Sequence, residues 1–268
     1  MITNFFAENF AQPWGVLHIL SIVVLVAMCA GAFILAPRLK ASKNSHLIVL
    51  ITVSAVFVLF EIGKQIISIR DAMKPDDVYL WVDHFPVVPC SIFMYVTIAC
   101  VFFRNKPKVV DTMYLYLATY GLISGVIAYV YPNAILSTPY AFISIQTMIH
   151  HGLLIFIGMY LFATGHAKLE YKIFLKTIIF FVAICIVGMI VNLIVHLSTN
   201  IEINMMYINP WADGGLPIIQ DFLSKNFLLG VIIYLPAYTL AASIVFFIAL
   251  FIKKINRNVS KNNATSVA

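Results

Sequence analysis

Charge is what this sequence has least of. Asp, Glu, Lys and Arg make up 10% of its 268 residues, against about a quarter in soluble globular domains. That scarcity excludes a water-solvated globule. The 62% hydrophobic content points to lipid as the solvent. No positive charge precedes Arg38, so the first apolar run lacks the basic flank of a signal peptide and reads as a retained span. Cysteine is also scarce. Cys29, Cys100 and Cys185 lie inside apolar runs and Cys90 at the edge of one, a spacing that fits neither a disulfide framework nor a zinc site. H-E-x-x-H, G-x-S-x-G and Walker sequences are missing, against zincin, serine-hydrolase and nucleotide-driven chemistry. No metal or other cofactor is expected. The last apolar run contains no lysine, which excludes a retinal Schiff base there.

What is present is a succession of apolar runs. Seven are long enough to cross a hydrocarbon core of about 30 Å. They run over Gly15–Pro37, His46–Ile69, Phe85–Phe103, Thr112–Tyr131, Tyr140–Ala163, Thr177–His196 and Asn226–Ile252. The predicted fold class is all-α, a polytopic seven-helix membrane protein. Residues 1–252 form one domain and 253–268 a basic cytoplasmic tail.

The charges test that count. Arg38, Lys40, Lys43, Arg104, Lys106, Lys108, Lys168, Lys172, Lys176, Lys253, Lys254, Arg257 and Lys261 fall on one side, 13 of 17 basic residues. The other side's loops hold Glu8, Asp71, Asp76, Asp77, Asp83, Glu202, Asp213 and Asp221, eight of the eleven acids. The positive-inside rule then places the amino terminus outside and the carboxyl terminus in the cytoplasm. The same distribution explains the net charge of +6 without a nucleic-acid partner. A multi-pass protein of the cell membrane is expected, with membrane lipids as its partners.

Polar groups inside spans are functional candidates because each costs several kcal/mol unless it faces a cavity or a partner. Glu61 and Lys64 are neighbours on one helix face, where they form either a packing ion pair or part of a site. Gln146 and His150 share a face of the fifth span, with His151 about 100° away. Asn192 and His196 repeat the four-residue spacing in the sixth. For any one of these, a hydrogen bond to a neighbouring helix is the commoner explanation. Their shared depth adds information: all lie at mid-depth or in the outer half, and the cytoplasmic halves look almost bare. A polar pocket opening toward the outer leaflet is expected.

Cys90 belongs at that level. In Phe85-Pro86-Val87-Val88-Pro89-Cys90-Ser91, Pro89 suits the first helical position, which needs no amide hydrogen. Cys90 would then lie in the first turn, where unpaired amides and the helix dipole favour a thiolate. Either Cys90 is a small apolar packing residue, or it forms a nucleophile and base with a histidine.

These stretches resemble the YwaF-type bacterial integral membrane proteins, relatives of the animal transmembrane protein 164 family. The likeness runs through Pro86-Val87-Val88-Pro89-Cys90, Tyr120-Gly121 with Gly125 and Pro132, Gln146 with His150-His151-Gly152, and Asn192 with Asn209-Pro210. Val88 departs from it, standing where the family carries a histidine two before the cysteine. The resemblance implies a seven-helix acyltransferase that moves a fatty acyl chain between phospholipids. Cys90 would be the acyl-accepting nucleophile and His151, or His150, the base. Glu61, Lys64, Gln146, Asn192 and His196 would line the substrate site. The alternative is a binding or transport protein that captures a small polar solute in the same pocket, with Cys90 as packing. A heptahelical sensor rests on the span count alone.

Overall fold

The computed structural model describes residues 12–42, 44–72, 86, 88–134, 136, 141–199, 203–211 and 227–265. The acidic loop beyond Ala72, Phe85, Val87 and most of the 198–225 loop lie outside the described residues, as does the end of the tail.

Helix α1 spans Val16–Ala41. Its charge-free run ends with Arg38 and Lys40 in the last turn, where cations meet the negative end of the helix dipole. Helix α2 follows at Ser45–Ala72. Ser45 Oγ donates to the Leu39 and Ser42 carbonyls and ties the start of α2 to the end of α1. Helix α3 covers Pro89–Phe102, with extended Val88 before it and Pro89 at the first helical position. Helices α4, Pro107–Tyr116, and α5, Leu122–Val130, are joined through a π turn at Leu117–Gly121 and make one 24-residue span. Helix α6 spans Ala141–Thr164 and stops at Gly165. That residue's left-handed φ of 76° is free of steric cost only for glycine. Helices α7, Tyr171–Thr199, and α8, Phe227–Thr265, complete the chain. No strand occurs among the described residues.

Among the described residues six helices are long and apolar enough to cross a membrane, and the chain is a multi-pass membrane protein. The seventh expected span is α3. Its 14 residues reach about 21 Å at 1.5 Å per residue, short of a hydrocarbon core of about 30 Å. The shortfall is at its start, because α3 begins at Pro89 and not at Phe85. Helix α8 runs past the expected boundary at Ile252 to Thr265, so much of the basic tail continues the helix.

The α4–α5 span is the interior element. Two-thirds of it (67%) is buried in protein, against 11% for α1 and for α8. Phe57, Phe93, Leu115, Tyr116, Tyr120, Leu154, Ile157, Tyr160 and Phe181 fill the space between helices. Exposed Ile, Leu, Val and Phe along α1, α7 and α8 face the surroundings as a lipid-solvated surface should. Small residues set the close approaches. A Cβ on Gly125 of α5 would lie 2.7 Å from the His151 carbonyl of α6, and one on Gly121 would lie 3.2 Å from the Phe93 ring.

Contacts between helix ends define two poles. Asp111 meets Lys168 at 2.6 Å and His46 meets Tyr114 at 2.7 Å, at the pole where Arg38, Lys40, Arg104, Lys106 and Lys108 gather. Glu61, Cys90, Gln146, His150 and Asn192 collect at the opposite pole.

Candidate functional site

The Cys90 pole is built on the first turn of α3. Pro89 opens the helix, and the Ser91 amide donates to the Val88 carbonyl at 2.9 Å, closing the first turn around Cys90. The side chain is partly buried.

Helix α6 places two histidines beside that turn. The His150 ring packs 4.8 Å from Phe57, and its Nε2 lies 3.0 Å from the Cys90 carbonyl. A carbonyl only accepts, so Nε2 carries the proton and Nδ1 keeps a lone pair. His151 Nδ1 donates at 2.9 Å to the Thr147 carbonyl one turn earlier, leaving its Nε2 as the acceptor. The two rings are 5.5 Å apart. Both imidazoles are thus fixed in tautomers that retain a basic nitrogen. Among the described residues no hydrogen bond joins Cys90 Sγ to either histidine; the contact is to the Cys90 backbone.

Glu61 is the polar hub of the same pole. Its carboxylate accepts from Gln65 at 2.7 Å, from Gln146 at 3.3 Å and from Lys64 at 3.4 Å. Lys64 is within electrostatic reach of Cys90 and of both histidines. These expected site residues therefore converge: Glu61, Lys64, Gln146, Cys90, His150 and His151.

Asn192 and His196 do different work. The Asn192 amide grips the backbone of Met205 twice, donating to its carbonyl at 3.1 Å and accepting from its amide at 2.9 Å. That grip pins a buried loop, residues 203–209, against α7 and α3. Asn209 closes the loop with bonds to the Ile203 carbonyl and the Asn204 side chain. Met206 and Tyr207 inside it have φ of 61° and 56°, left-handed values that cost non-glycine residues about 1–3 kcal/mol each unless the surroundings fix them. His196 stacks on Trp211 with ring centroids 4.2 Å apart, one turn beyond Asn192.

Four tyrosines of the interior escaped the sequence reading. Tyr207 and Tyr238 are within electrostatic reach of the Cys90 thiol. The hydroxyls of Tyr116, Tyr234 and Tyr238 are buried without a hydrogen-bond partner; Tyr238 Oη faces Ser124 but falls outside bonding geometry. The available signal was the four-residue spacing of Tyr116 with Tyr120 and of Tyr234 with Tyr238, both in charge-free runs.

The basic pole is not bare, contrary to expectation. His46 is held by both ring nitrogens, at 2.7 Å to Tyr114 Oη and 3.3 Å to Tyr160 Oη. It stacks on His166 with centroids 3.6 Å apart, and His166 Nδ1 meets Thr164 Oγ1 at 2.8 Å. His46 sits at the first turn of its span and His166 between spans, so neither stood out as an intramembrane polar residue. No set of three or more His, Cys, Asp or Glu side chains with metal-ligand geometry occurs among the described residues.

The TMEM164 family profile matches residues 12–255, nearly the whole chain. No curated protein and no solved structure gives a significant match.

Proposed function

Because this chain belongs to the TMEM164 family, we propose that it is an integral-membrane acyltransferase, moving a fatty acyl chain from one phospholipid to a lysophospholipid through a thioester on Cys90. The observation that carries the reading is the meeting of α3 and α6. A cysteine in the first turn of a proline-started helix has its backbone 3.0 Å from the His150 ring, and a second histidine with a free basic nitrogen lies beside it.

The chemistry follows. One histidine of the pair accepts the Cys90 proton, and the thiolate attacks the ester carbonyl carbon of the donor lipid. The carbonyl π electrons move onto oxygen, then return as the ester C–O bond breaks. The imidazolium gives its proton to the departing lysophospholipid alkoxide. In the second half the acceptor's hydroxyl yields its proton to the same histidine and attacks the thioester. The C–S bond then breaks and the thiolate recovers the proton. Lys64, beside Cys90 and tied to Glu61, supplies positive charge for a lipid phosphate, and Gln146 and Gln65 hold the Glu61 carboxylate in place. Asn192 acts one step back, fixing the 203–209 loop over the site. The donor arrives from the bilayer, which accounts for a sequence without a nucleotide or coenzyme motif. With the amino terminus outside by the positive-inside rule, the site opens to the outer leaflet and the α8 tail lies in the cytoplasm.

The test is transfer from a labelled diacyl phospholipid to a lysophospholipid by the purified chain in liposomes. Cys90→Ala is expected to abolish transfer, and His151→Ala or His150→Ala to lower it by about 10²–10⁴-fold. Undiminished transfer by Cys90→Ala contradicts the mechanism. Thermal stabilisation by a small polar solute, indifferent to Cys90, would favour solute capture instead.

A further inference from the structure

The three buried, unpartnered tyrosine hydroxyls are the feature of this molecule least explained by folding. Leaving a buried hydroxyl without a partner costs about 1–3 kcal/mol, and native interiors hold few such groups. Here they cluster. Rings pack in sequence from the first turns of α3 into the bundle: Phe93 to Tyr116 at 5.2 Å, Tyr116 to Tyr120 at 5.0 Å, Tyr120 to Tyr238 at 5.7 Å, and Tyr238 to Tyr234 at 5.8 Å. Tyr120 is satisfied through Thr239 at 3.2 Å, whereas Tyr116, Tyr234 and Tyr238 are not. Pro236, which has no amide hydrogen to give the helix ladder, lies between Tyr234 and Tyr238 on α8.

The strained loop reaches the same place. The turn at Met205–Tyr207 packs on α3 and α7. Two successive left-handed residues turn the chain so that Tyr207 comes within electrostatic reach of both Cys90 and Tyr238. The Asn192 grip on Met205 holds that geometry. A loop that stores strain and carries a phenol within electrostatic reach of a candidate nucleophile is organised for something other than stability.

We infer that the hydroxyls of Tyr207 and Tyr238 donate hydrogen bonds to the carbonyl oxygen of the acyl group handled by Cys90, with Tyr234 behind them in the same wall. The inference rests on the acyl-transfer reading and adds its missing component, a pair of donors for the oxyanion. As the Cys90 thiolate adds to the ester carbon, the carbonyl oxygen takes the displaced electron pair. It returns that pair when the C–O bond breaks. The phenols keep their protons throughout. The ligand is thus an ester or thioester carbonyl, and the site is selective for the acyl carbon over the phosphate.

Tyr207→Phe and Tyr238→Phe test this, because each removes one oxygen and no existing hydrogen bond of Tyr238. Each is expected to lower kcat for acyl transfer in liposomes by about 10²-fold with little change in KM. The carbonyl stretch of a ¹³C-labelled acyl-enzyme is expected to move to higher frequency in both variants. Tyr238→Phe is also expected to keep or raise the thermal unfolding midpoint, since a buried unpaired hydroxyl is lost. A purely structural tyrosine would show the reverse, a lower midpoint with transfer intact. If Tyr207→Phe perturbs its loop, Tyr238→Phe on α8 decides alone. Wild-type kcat and an unshifted carbonyl band overturn the inference. Should Cys90→Ala be inert while both Phe variants transfer normally, only the tyrosine donors fall. If Cys90→Ala still transfers acyl groups, the thioester reading falls with them.

Discussion

The two poles of the bundle carry the same residue types in opposite conditions. At the basic pole two histidines and two tyrosines satisfy one another: His46 has a partner on each ring nitrogen and His166 is bonded to Thr164. At the Cys90 pole two histidines keep a free basic nitrogen each and two residues hold left-handed backbone, and in the interior beyond it three tyrosine hydroxyls have no partner among the described residues. Paired groups in a protein interior lower its energy, and unpaired ones raise it until a ligand arrives. Composition alone would rank the poles equally. Satisfaction of the hydrogen bonds separates them, and it is the reason the Cys90 pole is the one proposed as a site.

The contrast can be broken by mutation, and the largest effect is expected at Cys90. Cys90→Ala should remove acyl transfer altogether, while Cys185→Ala, buried deeper among apolar side chains, should leave it near wild type in the same liposome assay. Next come the histidines. His151→Gln or His150→Gln should reduce transfer by about 10²–10⁴-fold, whereas His46→Gln at the other pole should cost stability and leave the rate near wild type. Kinetics with thermal unfolding in detergent would separate the two outcomes.

Close helix approach is the next target. Gly125→Ala puts a methyl 2.7 Å from the His151 carbonyl, and backbone there has little room to give. A loss of about 1–3 kcal/mol is expected, measured by chemical or thermal unfolding. Transfer should fall with it, because α6 carries both histidines. Tyr114→Phe is milder. It removes the 2.7 Å bond to His46 and should cost about 1 kcal/mol with no change in transfer.

The smallest effect is a pH dependence at the basic pole. Burial first, and then the charge of Lys40, hold the His166 imidazole below its ordinary pKa. A histidine with a lowered folded pKa binds its proton first in the unfolded chain, so stability is full above about pH 6.5 and declines as the pH falls below it. His166→Gln should flatten that decline in a pH series of unfolding midpoints.

Much of this was legible in the sequence. Apolar runs marked every long helix, and Pro89 marked the start of α3 because proline fits the first helical position. Gln146, His150 and Glu61 were visible as intramembrane polar groups; Gln146 does meet Glu61, and His150 meets the Cys90 backbone. Other features were hidden for physical reasons. The π turn at Leu117–Gly121 is buried inside the bundle and has no composition of its own. The left-handed pair Met206–Tyr207 carries no glycine or asparagine to announce it, so the role of Asn192 as the anchor of that loop could not be read. The unpaired tyrosines were silent because pairing is a property of neighbours. His46 and His166 lie 120 positions apart in the sequence numbering, and only folding stacks them.

The central claim is that Cys90 carries the acyl group. Intact-protein mass spectrometry after incubation with a defined phospholipid tests it most directly. The account predicts a mass increment equal to one acyl chain, removed by neutral hydroxylamine, mapped to Cys90 and lost in Cys90→Ala. An unmodified protein that still transfers acyl groups, or an increment that survives in Cys90→Ala, would contradict it.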